Sequence, residues 1–470
     1  MRLLLLLLLV APIAAAQPSN LPTDTLAPAD TLRLDLAEAM RRALDGSPEV
    51  AIEAAGQDFA EARAAQARAA RFATEFSLTT GHAIAPGLRG LDPSFAPNAQ
   101  YLNPELRNDW ADPRPYNQYE VELLQPLFTA GELGGQIAAA EAGVRLEAAE
   151  VDQKASEVAL RTGDLYYTLL LTQRLDALTA EAGDALGVAQ RELQALLDEG
   201  DPDVDDADLF QLRLFEQEYR RQVAEVREQA VLARIGLARQ VLTPDAIVVP
   251  ADLDLAPVTF QRDALGVYQD LALLQRPEMR QAQAGYAARD ALVRVARSDF
   301  YPKLFLSVTQ GGRYAAGRRQ QANPYVSDDF LGTGLRAGLG IRLNLAYHQT
   351  RAKVAQAIAE RDEVRAQRTA AEQLILFDVE EAYRHLVIAE EALASRQEAT
   401  AIAGDWLRTE QINADLGFGT TDNLVAAVRA DLDARAAELA AVRTYNVAVL
   451  SLLDATGTLP TRLASGSLFE

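Results

Sequence analysis

The densest set of titratable side chains in the sequence is Asp198-Glu199-Gly200-Asp201-Pro202-Asp203-Val204-Asp205-Asp206-Ala207-Asp208, seven carboxylates in eleven residues. Carboxylates this close together raise one another's pKa values and attract cations. A second reading is local: Asp203 follows Pro202 where it can cap a helix, and acids in a first turn favour the helix macrodipole. Capping accounts for one or two of these acids, not seven. No catalytic constellation competes with the cluster. His82, His348 and His385 are the only histidines and fall on different expected elements, with no metal-ligand companion at useful spacing. The chain has no cysteine. No glycine loop suited to phosphate precedes a helix, and no serine nucleophile sits beside a base. The expectation is a protein without cofactor, metal or enzyme activity.

The elements that carry this cluster occur twice, 217 to 229 residues apart. Ser47-Pro48-Glu49-Val50 returns as Arg276-Pro277-Glu278-Met279, and Asp198-Glu199-Gly200-Asp201 returns as Asp415-Leu416-Gly417-Phe418. The passage Leu123–Gly131 returns as Gly340–His348. Each half reads helix, strand, loop, strand, very long helix, tight turn, helix. A duplicated unit of this size points to pseudo-symmetric architecture rather than to one unique cleft.

The expected organisation begins with a cleavable secretory signal over residues 1–16, with Met1-Arg2, an apolar run Leu3–Val10 and Ala14-Ala15-Ala16. The first repeat spans 17–242: a helix from Leu36 to Phe72, a strand at 74–84, a loop with six prolines over 85–115, a strand at 116–127, a long helix at 129–198 and a helix at 204–242. A linker at 243–260 leads to the second repeat, 261–457, with a helix over 265–298, strands at 303–313 and 334–345, a long helix at 349–415 and a helix at 422–456. Residues 458–470 form a tail.

Composition agrees with long helices. The apolar fraction is 49% but rich in alanine, aromatics are only 6%, and the formal charge of −22 argues against nucleic acid or anionic membrane surfaces as partners. Leu209, Leu212, Glu216, Tyr219, Val223, Val226, Ala230, Ala233 and Leu237 step by threes and fours, a seam that demands partner helices. The strand at 116–127 alternates Tyr119, Val121 and Leu123 with Gln118, Glu120 and Glu122, giving one apolar and one wet face. Strands of about ten residues have the length a tilted membrane strand needs. Four of them cannot close a barrel, so a lipid-embedded sheet must be shared between chains. A soluble sheet capping a coiled coil is the competing reading.

In order and spacing, these motifs resemble the TolC-like outer membrane efflux proteins over nearly the whole mature length. The resemblance rests on Leu32–Ala39 with Ser47-Pro48-Glu49, on the corner Gln125–Gly131, and on the tip Leu416–Ala427. It departs at Asn344 and at Arg71-Phe72-Ala73, where the family's corners carry proline. The resemblance implies a mostly α fold with a membrane β-barrel portion, in which four strands per chain join a twelve-stranded trimeric barrel. Long antiparallel coiled-coil helices continue it as an α-barrel. It further implies a homotrimer in outer-membrane lipid, extending into the periplasm, with a periplasmic adaptor and an inner-membrane pump as partners in a tripartite efflux or type I secretion system. The tip turns then face the periplasmic aperture through Asp203, Asp205, Asp206, Asp208, Asp422 and Asn423, and offer Gly200, Gly417, Gly419 and Thr420 for adaptor docking. The other classes weighed are a periplasmic coiled-coil adaptor and a structural envelope protein.

Overall fold

The computed structural model describes residues 31–72, 75–90, 107–199, 206–252, 254–318, 328–416 and 421–469. The expected signal peptide lies outside them. The first half runs β1 (Thr31–Leu34), α1 (Leu36–Gly46), α2 (Pro48–Ala69), β2 (Glu75–Arg89), β3 (Arg107–Phe128), α3 (Glu132–Glu199) and α4 (Asp206–Gln240). The second runs β4 (Ile247–Pro250), α5 (Leu265–Gln275), α6 (Pro277–Ser298), β5 (Lys303–Ala315), β6 (Gly332–Arg342), α7 (Tyr347–Asp415), α8 (Thr421–Ala455) and α9 (Leu459–Ser465).

Two prolines divide helices that the sequence reading ran together. Ser47 and Arg276 precede Pro48 and Pro277, and both take extended backbone, with ψ of 118° and 130°. A residue before proline is pushed out of the helical region. Each proline then starts a new helix where its missing N–H costs nothing, and the Ser47 hydroxyl accepts from Val50 N–H at 3.3 Å.

The rods α3 and α7 contain 68 and 69 residues, each roughly 100 Å at 1.5 Å per residue. α3 pairs with α4 and α7 with α8, while α3 also packs on α2, α6 and α8. The seam from Leu209 to Leu237 is buried or half-buried at every position, so periodicity and packing agree. The core lies midway along the rods. There Met40, Val158, Tyr166, Leu169, Leu237, Val379, Leu386, Val449 and Leu453 meet from α1, α3, α4, α7 and α8. β1 and β4 pair in parallel beside this core, Thr31 with Ile247 through Leu34 with Pro250. The stretch read as a linker therefore carries a strand, and the stretch read as a tail carries α9.

The remaining strands form one antiparallel sheet in the order β2-β3-β5-β6. Its first hairpin is longer than the sequence suggested. β2 and β3 stay in register through Pro86↔Pro113 and on to Arg89↔Arg107, with a bulge between Pro86 and Gly87, in residues read as loop. Proline is tolerated there because β2 is an edge strand and the bulge releases the ladder locally. β6 ends at Arg342, three residues before the expected end.

Candidate functional site

Strand alternation divides the sheet into two chemically distinct faces. Register aligns Leu78, Val121, Gln310 and Leu335 in one cross-strand row, and Phe76, Leu123, Val308 and Ala337 in the next. On the opposite face Ser77, Glu122, Thr309 and Arg336 share a row, beside Thr79, Glu120, Gly311 and Gly334. In the regularly paired part, Phe76, Leu78, Ile84, Tyr119, Tyr314, Leu335, Leu339 and Ile341 are exposed large apolar residues, and all lie on the first face. Leu339 is 74% exposed. A water-facing sheet does not spend its apolar side chains this way; a membrane sheet does. The arginines of the wet face were missed in the sequence reading. Their signal was the alternation Gly332-Thr333-Gly334-Leu335-Arg336-Ala337-Gly338-Leu339-Gly340-Ile341-Arg342.

Sharp corners connect this sheet to the rods. After β3, Ala130 and Gly131 take positive φ of 52° and 91°, conformations that glycine adopts without strain. The Thr129 carbonyl accepts from Glu132 N–H at 3.0 Å, starting α3. The second corner has Asn344 instead of proline, and its Oδ1 accepts from Ala346 N–H at 3.0 Å. This side-chain turn closes one residue before α7 begins.

Away from the sheet, the helices carry a second row of apolar side chains that nothing among the described residues covers. On α7, Leu374, Ile388 and Ile402 recur every fourteen residues and are 60%, 63% and 63% exposed. On α4, Phe210 and Val231, and likewise Leu214 and Ile235, lie twenty-one residues apart and are exposed. Such steps are whole numbers of heptads, so each row holds one side of its rod.

At the far end of the rods, Leu209 and Leu212 of α4 pack with Leu186 and Leu197 of α3. The second hairpin joins the first there through Arg435 of α8, which donates to both carboxylate oxygens of Glu181 at 2.9 Å. That guanidinium holds Glu181 below the usual carboxylate range. Asp206 and Asp208 fall in the first turn of α4, and Asp422 and Asn423 are exposed at the start of α8. Gly200, Asp203, Asp205, Gly417, Gly419 and Thr420 lie outside the described residues. His82 is on β2, its Nδ1 2.7 Å from Asn117 Oδ1; His348 and His385 both lie on α7 rather than on separate elements.

Residues 269–458 match the model of the outer membrane efflux protein family. The match covers the greater part of the second repeat. No curated protein matches the chain. Its fold is shared with solved channels: the outer-membrane channel OprN at 18% identity, covering 90% of each chain with a TM-score of 0.70; the Neisseria gonorrhoeae MtrE outer membrane channel in its open state, at 15% identity, covering 90% of this chain and 88% of that one, TM-score 0.69; and the Campylobacter jejuni CmeC outer membrane channel, at 16% identity, covering 90% and 85%, TM-score 0.68. The chain therefore has the fold of these outer-membrane channels.

Proposed function

We propose that three copies of this chain form one duct across the periplasm and the outer membrane. The carrying observation is the segregation of apolar and polar side chains on a four-stranded sheet whose outer strands, β2 and β6, pair on one side only. Every unpaired backbone group in hydrocarbon costs several kcal/mol, so the two edges must find each other in other copies. Two copies give eight strands and an interior filled with side chains, whereas three give twelve and an open lumen. A channel needs the lumen. The outward rows on α4 and α7 supply the contacts that join neighbouring rods.

The duct is passive and serves as the exit of a tripartite efflux or type I secretion system. Energy comes from an inner-membrane pump, and a periplasmic adaptor docks on the tip turns around Gly200, Gly417, Gly419 and Thr420. Asp203, Asp205, Asp206, Asp208, Asp422 and Asn423 surround the periplasmic aperture. Asp422 and Asn423 are solvent-exposed at the start of α8, which supports this reading.

The test is the purified full chain, weighed by light scattering in detergent and reconstituted into planar bilayers. Three protomers per particle and discrete conductance steps are expected. A water-soluble single copy, or a dimer without conductance, refutes the proposal.

A further inference from the structure

The outer end of the sheet, away from the rods, holds a side-chain cluster that lining a tube does not require. β5 ends at Ala315, and Gly317 turns the chain with φ of +72°, so close to Arg114 that a Cβ would lie 2.8 Å from its Nη1. Arg114 alternates with Tyr116 and Gln118 on the polar face of β3, and Phe330 stacks edge-on against Tyr116 with centroids 5.8 Å apart. The chain on both sides of the second hairpin thus folds onto the polar face.

Arg318 fastens it there. Nε donates to both carboxylate oxygens of Asp328 at 3.1 and 2.8 Å. Nη1 donates to the Pro86 carbonyl at 2.5 Å and to that of Gly87 at 3.3 Å. Nη2 donates to Asn108 Oδ1 at 2.8 Å. The guanidinium also lies 4.9 Å from the Phe330 ring centroid. From beyond β5, this side chain reaches past β3 to the bulge of β2. It is 4% exposed and Asp328 9%, at a strand end where a solvated arginine would cost nothing. Burying a guanidinium is costly unless its donors are met; here four of the five N–H groups have acceptors. The first hairpin's pair, Arg89 with Asp109, leaves the Arg89 side chain 73% exposed. Beside the gripped carbonyls, Ala85 is 0% exposed, as is Ala315.

We propose that Arg318 is the positioning residue of an inward collar at the outer mouth, formed by residues 315–318 and 328–330 held against the polar faces of β2 and β3. The collar, rather than the strands, sets the bore there and with it the largest solute released. This rests on the proposed assembly, in which the polar face lines the lumen.

Two readouts on the reconstituted full chain test it. In planar bilayers, Arg318→Ala and the isosteric Asp328→Asn are expected to raise single-channel conductance by roughly 1.5-fold or more and to admit larger neutral polyethylene glycols, because pore width governs both. Because the chain has no cysteine, Ala85→Cys is a clean reporter of the covered surface. It should react slowly with a charged thiol reagent, and at least about tenfold faster when combined with Asp328→Asn. Wild-type conductance and polymer cut-off in both variants overturn the collar, as does an Ala85→Cys as reactive as Thr79→Cys on the open wall. Absence of conductance in the unsubstituted protein strikes at the duct itself, a separate result.

Discussion

At the scale of single residues, the chain places its charges for two purposes. Asp454 of α8 is nearly enclosed by the mid-rod core, where it accepts a hydrogen bond from Ser156. Burial, reinforced by Glu278 and Glu157 and opposed by the Ser156 hydrogen bond and by Arg276, pushes its carboxyl above the usual range. The folded state then holds this proton more tightly than the unfolded chain. Ionised Asp454 weakens the fold near neutral pH, and the penalty fades as pH falls through the raised folded value. Asp454→Asn is accordingly expected to raise the melting temperature near neutrality and to lose that advantage in acid, as thermal melts across pH will register. At the tip, charge acts on what passes. Replacing Asp203, Asp205, Asp206 and Asp208 by asparagine is expected to lower cation over anion selectivity, read as a shift in reversal potential under a salt gradient. Unchanged selectivity would leave these acids as helix caps.

At the scale of elements, what the sequence made legible depends on how far the signal extends. The rods could be read because their seams repeat over many turns, and position after position from Leu209 to Leu237 is covered. The two faces of β3 were equally plain from Tyr119, Val121 and Leu123 against Gln118, Glu120 and Glu122. The outer half of the first hairpin was hidden by Pro86, Pro113 and Pro115, which read as loop although Pro86 and Pro113 face each other across paired strands. β1 and β4 are four residues each and are held by neighbours far apart in sequence, a register no local pattern encodes. The grip of Arg318 was equally invisible, since its acceptors come from three other stretches of chain. The rods offer a direct contrast between packing within a chain and between chains. Leu386 is 0% exposed and Ile388, two residues on, is 63% exposed. Leu386→Ala should cost about 2–5 kcal/mol of fold stability. Ile388→Ala should leave the protomer's stability unchanged and lower the temperature at which oligomers dissociate on gels.

At the scale of the whole molecule, the sheet decides where the protein resides. Lysine at Leu339, on the apolar face, is expected to cost about 2–4 kcal/mol at the bilayer midplane and to reduce the outer-membrane fraction after cell fractionation. Lysine at Thr309, on the opposite face, should insert normally and change only conductance. Equal losses from both would mean that the two faces meet the same solvent.

The unpaired margins of β2 and β6 carry a cost in time as well as in energy. A newly made copy, before it meets its fellows, presents two adhesive ribbons and a greasy flank to a crowded watery compartment, the circumstances in which strands join the wrong partner. Yield then becomes a race between productive encounter, which accelerates steeply with supply, and misjoining, which accelerates too but without closing. A cell making this protein has reason to deliver copies in bursts at one place, or to shield each one until companions are at hand.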